Sequence, residues 1–303
     1  MWKYFKLMRI ILWPASLFCF AVGFGVGATE STDLEKTLFG FLATFSFLGF
    51  AYALNFYTDR DVDRYDDSCQ RDIDRSKQPL LTGEVTEKEC IVFCILTFLT
   101  AILFSALVSR VFALLIFSAC IVGGVLYSHP WVRMKATPVG DILCMATLST
   151  LLFSAGYVLS FGVTPTWPMI LFFSLFSAIL YIPTVVSDYE YDYKAGLRTS
   201  AVVFGQRNLI KGMFIICMLS LPVAYWIVVE GHYPLGTKTC VIIAWISSAV
   251  CTAVIWKSLK PPKLIIPVLS SHPRQAILLG GLISLLFIIY GFFKILVPFH
   301  LHI

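Results

Sequence analysis

Two acidic sets stand at corresponding ends of two apolar segments: Asn55, Asp59 and Asp63 after one, Asp188 and Asp192 after the other. Four-residue spacing on an α-helix turns about 400° and rises about 6 Å, so Asn55, Asp59 and Asp63 line one face. The same spacing gives Asp188 and Asp192 a shared face, while Asp61 and Glu190 point the other way, toward solvent or basic loop residues. Charged side chains beside a long apolar span are costly unless they hold something. Four carboxylates converging on one cavity would repel one another and take up protons unless a counter-charge were present. A divalent cation supplies it. Hard oxygen donors without His or Cys favour Mg²⁺ over zinc or copper, and Mg²⁺ is typically held by one or two carboxylates plus the oxygens of a phosphate substrate. The expected cofactor is therefore Mg²⁺, with Asn55, Asp59, Asp63, Asp188 and Asp192 as its ligands and the four aspartates as catalytic residues. This is the chemistry of a magnesium-dependent enzyme inside a membrane.

The elements that must position these groups follow from composition. Of 303 residues, 58% are apolar and 14% charged, with a mean hydropathy of +0.82, far from the roughly 25% charged residues of a soluble domain. Apolar runs long enough to cross about 30 Å of hydrocarbon cover 10–28, 38–57, 90–108, 111–128, 140–161, 166–187, 209–229, 236–256 and 276–297. Uninterrupted runs exclude the alternating pattern of a membrane barrel, so the fold class is all-α: nine transmembrane helices around a central cavity. Sorting the 23 Lys and Arg residues over alternating loops puts nineteen on one side and only Lys36, Arg110, Lys238 and Lys294 on the other. The positive-inside rule then makes the N-terminus and both acidic motif loops cytoplasmic. The motifs lie four spans apart, which suggests a parallel duplication of helices 1–4 and 5–8, plus helix 9, within one domain covering 1–303.

Two connections are long, 58–89 and 188–208, and long loops in compact proteins are usually functional. Thr86 and Glu89 form a capping box that starts the third span. Pro183, one turn before the second acidic set, is expected to kink its helix. The net charge of +5 suits anionic lipid headgroups and anionic substrates better than nucleic acid, and no obligate protein partner is implied. The nine cysteines show no zinc or redox spacing and read as helix-packing residues. Lys3, Lys6 and Arg9 before an apolar run resemble a signal peptide, but the run of about nineteen residues exceeds a signal core, so a retained first helix is expected.

The residues from Asn55 to Asp63 resemble the first Asn-x3-Asp-x3-Asp motif of the UbiA superfamily of intramembrane prenyltransferases, and Asp188-Tyr-Glu-Tyr-Asp192 resembles its second. Pro79-Leu80-Leu81-Thr82-Gly83 is similar to the family's Arg-Pro-Leu-x-x-Gly, the stretch from Tyr127 and Ser128 to Lys135 to its basic fourth loop, and Gly196 to Gly205 to the segment after its second motif. Two positions depart: Thr184 stands where the family often has Lys, although Tyr181 is kept, and Gln78 replaces the Arg before Pro-Leu.

The resemblance implies transfer of an isoprenyl group from a prenyl diphosphate to a lipophilic acceptor, aromatic or lipid, through an allylic carbocation. It further implies Asn55, Arg71, Arg75, Lys77, Tyr127, Arg133, Lys135, Tyr181, Lys194 and Arg198 as substrate-binding residues. Aromatic Phe56, Tyr57, Tyr181 and Tyr189 beside the motifs suit a dry pocket that tolerates positive charge. A cation-coupled transporter is the rival from another class, but its acids would lie nearer the membrane midplane. A CDP-alcohol phosphotransferase would carry an Asp-Gly-x-x-Ala-Arg segment, which is absent.

Overall fold

The computed structural model describes residues 2–29, 31–63, 78–258 and 273–296, and among them there is no strand. Six helices among these residues are long and apolar enough to span a membrane: Leu34–Arg60, Glu87–Val108, Gly140–Phe161, Trp167–Ser187, Gln206–Glu230 and Leu235–Trp256. Phe18–Gly27, Arg110–Leu126 and Leu282–Leu296 are shorter apolar helices. The apolar runs after the first thus coincide with helices among the described residues.

The first run is not continuous, contrary to expectation. After Trp2–Leu7 (α1), Arg9 takes a left-handed conformation (φ 46°), a 3-10 turn covers Ile10–Leu12, and Trp13–Ser16 (α2) precedes Phe18–Gly27 (α3). At this break the Arg9 guanidinium lies 4.1 Å from the Phe56 ring centroid, and the Trp13 indole N–H donates to the Met8 carbonyl at 2.8 Å. Only the ten residues of α3 remain as an apolar helix from this run.

Leu34–Asp63 (α4) carries the first motif, and Glu87–Val108 (α5) packs along it. The capping box that starts α5 forms as expected: Glu89 N–H donates to the Thr86 hydroxyl at 3.2 Å, and Thr86 N–H to the Glu89 carboxylate at 2.9 Å. Glu89 also accepts from Lys3 Nζ at 2.6 Å, which ties α1 to the same corner. Removing the cap in Thr86→Ala should cost about 1 kcal/mol, seen as a lower Tm in detergent, and an unchanged Tm would show that Lys3 alone fixes this corner. Ser109 is extended, ends α5 and caps Arg110–Ala119 (α6) by accepting from Phe112 N–H at 3.1 Å. A π-helical stretch, Cys120–Leu126, carries α6 on to Tyr127.

Gly140–Phe161 (α7), Trp167–Ser187 (α8), Tyr189–Lys194 (α9), Ser200–Phe204 (α10), Gln206–Tyr225 (α11), Leu235–Ser258 (α12) and Pro273–Leu296 (α13) complete the described fold. The chain divides into two compact units, one of Met1–Arg133, Leu151–Thr164 and Ile277–Ile303, the other of Met134–Thr150 and Pro165–Ala276. In hydrocarbon, apolar contact alone does not drive helices together, so close approach through small residues must do so. In the first unit Gly23, Gly27 and Gly156 let α3 meet the second half of α7, and Phe20 and Phe24 each pack edge-on against Phe41 at 5.2 Å. In the second unit Ile179, Ile182, Val185 and Val186 of α8 close against Leu209, Ile210, Met213 and Cys217 of α11. Leu96, Leu99, Leu103 and Leu107 form an exposed stripe on one face of α5. Such a face suits lipid rather than water.

Candidate active site

In the first unit, α4 places Asn55 and Asp59 one turn apart, as the spacing requires. The Asn55 amide donates to Asp59 Oδ2 at 2.7 Å and to the Ser128 hydroxyl at 2.9 Å. Asp59 is 5% exposed, and its Oδ1 accepts from Arg133 Nη2 at 3.1 Å. Arg133 reaches it from a left-handed backbone (φ 36°). Gln78, the departure read as a lost charge, is buried and donates through a long 3.4 Å bond to the Phe56 carbonyl, holding the motif helix by its backbone. Arg60 pairs with Glu87. Asp63 lies in the last turn of α4. Arg71, Arg75 and Lys77 fall outside the described residues.

In the second unit, the helix does not run unbroken through the second motif. Asp188 adopts φ −83°, ψ −1°, ends α8 and begins the separate helix α9. Pro183 sits one turn earlier inside α8, where its missing N–H weakens the ladder. Asp188 and Asp192 still lie one turn apart, since Asp192 N–H donates to the Asp188 carbonyl at 2.9 Å. Asp188 is exposed and accepts from the Ser187 hydroxyl at 3.2 Å, whereas Asp192 is buried. Burial pushes the Asp192 carboxyl above its usual range, the nearby Asp141 pushes the same way, and the adjacent Thr199 hydroxyl and the Lys135 charge work against it. Lys194 and Arg198 are exposed, as is Thr184; Tyr181 packs partly against the core of α8 and α11, and Tyr127 and Lys135 are half-buried.

In the connection after Tyr127, Arg133 pairs with Asp59, and the Lys135 charge favours the Asp192 carboxylate. Ser128 is the functional neighbour that sequence reasoning did not single out: it was visible only as part of the basic loop, because its contact with Asn55 is made across 73 positions of chain.

The donors fit Mg²⁺. They are hard oxygens, and Asp59 and Asp192 are both buried carboxylates. Among the described residues no three His, Cys, Asp or Glu side chains gather into a complete cage.

Residues 16–263 match the UbiA prenyltransferase family. The structure of a UbiA homolog from Archaeoglobus fulgidus bound to DMAPP and Mg²⁺ superimposes with a TM-score of 0.88 at 32% identity, covering 97% of this chain and 99% of that one. The same homolog bound to GPP and Mg²⁺ gives a TM-score of 0.87 at 31% identity over the same shares. A homogentisate phytyltransferase from Synechocystis sp. is 26% identical over 146 residues, 44% of this chain and 45% of that protein. The match thus spans a little under half the length of this curated relative.

Proposed function

Since the chain belongs to the UbiA prenyltransferase family, we propose that it transfers an isoprenyl group from a prenyl diphosphate to a lipophilic acceptor, aromatic or lipid, in the membrane. The observation that carries this reading is the buried Asp59 of the first motif, held by Asn55 at 2.7 Å and by Arg133 at 3.1 Å, while the Lys135 charge favours the Asp192 carboxylate of the second. Asn55, Asp59 and Asp63 in one unit and Asp188 and Asp192 in the other would hold Mg²⁺. When bound, the ion neutralises diphosphate oxygens and so favours departure of the leaving group.

The chain's own residues account for the rest. Arg133 and Lys135, with Arg71, Arg75, Lys77, Lys194 and Arg198 as further candidates, would meet the negative charge that grows on the diphosphate as the allylic C–O bond breaks. The hydroxyls of Tyr127 and Tyr181 would orient it. The prenyl group leaves as an allylic cation, the acceptor's electron pair forms the new bond, and the acceptor then gives up a proton. Apolar and aromatic side chains near the motifs would exclude water and tolerate the transient positive charge. We further read the chain as one domain of nine spans with a cytoplasmic N-terminus and cytoplasmic motif loops, which the distribution of Lys and Arg supports.

Titration calorimetry with a non-hydrolysable prenyl thiodiphosphate tests the reading. Binding should require Mg²⁺, vanish when EDTA removes it, and be lost in Asp188→Ala. Folded wild-type protein that ignores the ligand in Mg²⁺ would refute prenyl transfer and direct attention to ion flux.

A further inference from the structure

Asp141 takes no part in the steps above, yet it is 1% exposed and its carboxylate accepts three hydrogen bonds. It stands in the first turn of α7, in the second unit. Its Oδ2 accepts from Ser200 N–H at 2.8 Å, and its Oδ1 accepts from the Ser200 hydroxyl at 2.5 Å and from Ile142 N–H at 2.8 Å. The Ser200 hydroxyl in turn accepts from Val139 N–H at 2.7 Å. Val139 is β-branched but holds φ 66°, a left-handed conformation that such residues avoid. Strain of this kind persists only where surrounding bonds fix it, and it concentrates near functional sites.

Two segments joined by this latch reach Asp192. One is 197–200, which runs through Thr199 to Ser200 and whose Leu197 N–H donates to the Asp192 carbonyl at 2.9 Å. The other is the short turn from Lys135 to Val139, from which the Lys135 charge favours the Asp192 carboxylate. Three donors already occupy Asp141, so it is unsuited to be a ligand itself. We propose that Asp141 is a positioning residue that, through Ser200, holds the left-handed turn at Val139 and thereby sets Lys135 and Thr199 against Asp192. The proposal rests on the reading of Asp192 as a ligand for a divalent cation in the prenyl transfer site.

Two measurements on the full chain in detergent test it. The first is hydrogen exchange in peptides covering 134–143 and 197–204, which reads the latch without reference to any ligand. Asp141→Asn and the milder Ser200→Ala should both speed exchange there by about tenfold or more, and Ser200→Thr, which keeps the hydroxyl, should not. The second is Mn²⁺ affinity with inorganic pyrophosphate, followed by the electron spin resonance of Mn²⁺. Removing a group that orients a metal ligand typically weakens binding about 10- to 100-fold. Asp141→Asn should lose about tenfold. Adding Val139→Gly, which accepts a positive φ without help, should recover most of that loss, whereas adding Val139→Ala should recover none.

Wild-type affinity in Asp141→Asn and Ser200→Ala, or equal recovery by glycine and alanine, overturns the proposal. If Asp141→Asn yields no folded protein, Ser200→Ala and its Val139→Gly double variant decide the matter by the same comparison. Wild-type protein that fails to bind Mn²⁺ with pyrophosphate refutes the reading of Asp192 as a ligand, and with it the proposal, even if the exchange result holds.

Discussion

Asp59→Ala is expected to lower kcat/KM for prenyl transfer by at least about a hundredfold, the scale seen when one preorganised charge-stabilising group is removed. The geometry also predicts a second, separable loss. Asp59 accepts from Asn55 at 2.7 Å and from Arg133 at 3.1 Å, and the Arg133 Nε, itself buried, makes no hydrogen bond among the described residues. Without Asp59 the guanidinium is left partly buried and unpaired, and breaking such a pair from one side costs a few kcal/mol. Asp59→Ala should therefore also melt at a lower temperature. Asp59→Asn keeps the size and one acceptor, so it should retain more of the stability while losing comparable activity. Adding Arg133→Met to Asp59→Ala should restore the Tm but not turnover. Near wild-type turnover in Asp59→Asn would reduce the Arg133–Asp59 contact to a structural ion pair.

Gly23→Ala and Gly156→Ala are expected to be the most damaging small substitutions in the first unit. A methyl at Gly23 would overlap the Phe153 carbonyl, and one at Gly156 would overlap the Phe20 carbonyl. These are backbone atoms, which cannot swing aside as a side chain can, so α3 and α7 would have to separate. Overpacking typically costs about 1–3 kcal/mol even where side chains yield. Here the loss should reach the upper end or beyond, because in lipid this close approach is itself the source of helix association. The measurement is the monodisperse fraction on size-exclusion chromatography after detergent extraction, together with the Tm. Gly212→Ala, whose added methyl would meet nothing within 4 Å, is the control. Equal behaviour of the three variants would contradict the packing argument.

What could be read from the sequence was set by local periodicity and local bonds. The apolar runs after the first became helix, and the Thr86 cap formed, because both depend on residues within a few positions of one another. The one-turn relations of Asn55 to Asp59 and of Asp188 to Asp192 held for the same reason. What escaped depends on distant chain. The break at Arg9 accompanies a guanidinium resting on Phe56. Gln78 looked like a missing charge because only the fold brings it to the Phe56 carbonyl. Ser128 and Asp141 carried no local signal at all; each gains its meaning from a partner 59 or more positions away.

The π-helical stretch Cys120–Leu126 contains Gly124, one turn before Ser128, and a Cβ there would come within 2.6 Å of the Phe50 ring and 3.3 Å of Leu54 on α4. Phe50 is buried and packed against Phe98 at 5.4 Å, so its ring has little room to retreat. The reach of Ser128 to Asn55 is therefore set by an apolar residue that does no chemistry. Inheritance acts unevenly along these helices as a result. The outward leucines of α5 are free to drift among apolar types, whereas a single added carbon at position 124 would be felt at the motif through a spacing that a survey of polar residues would never sample.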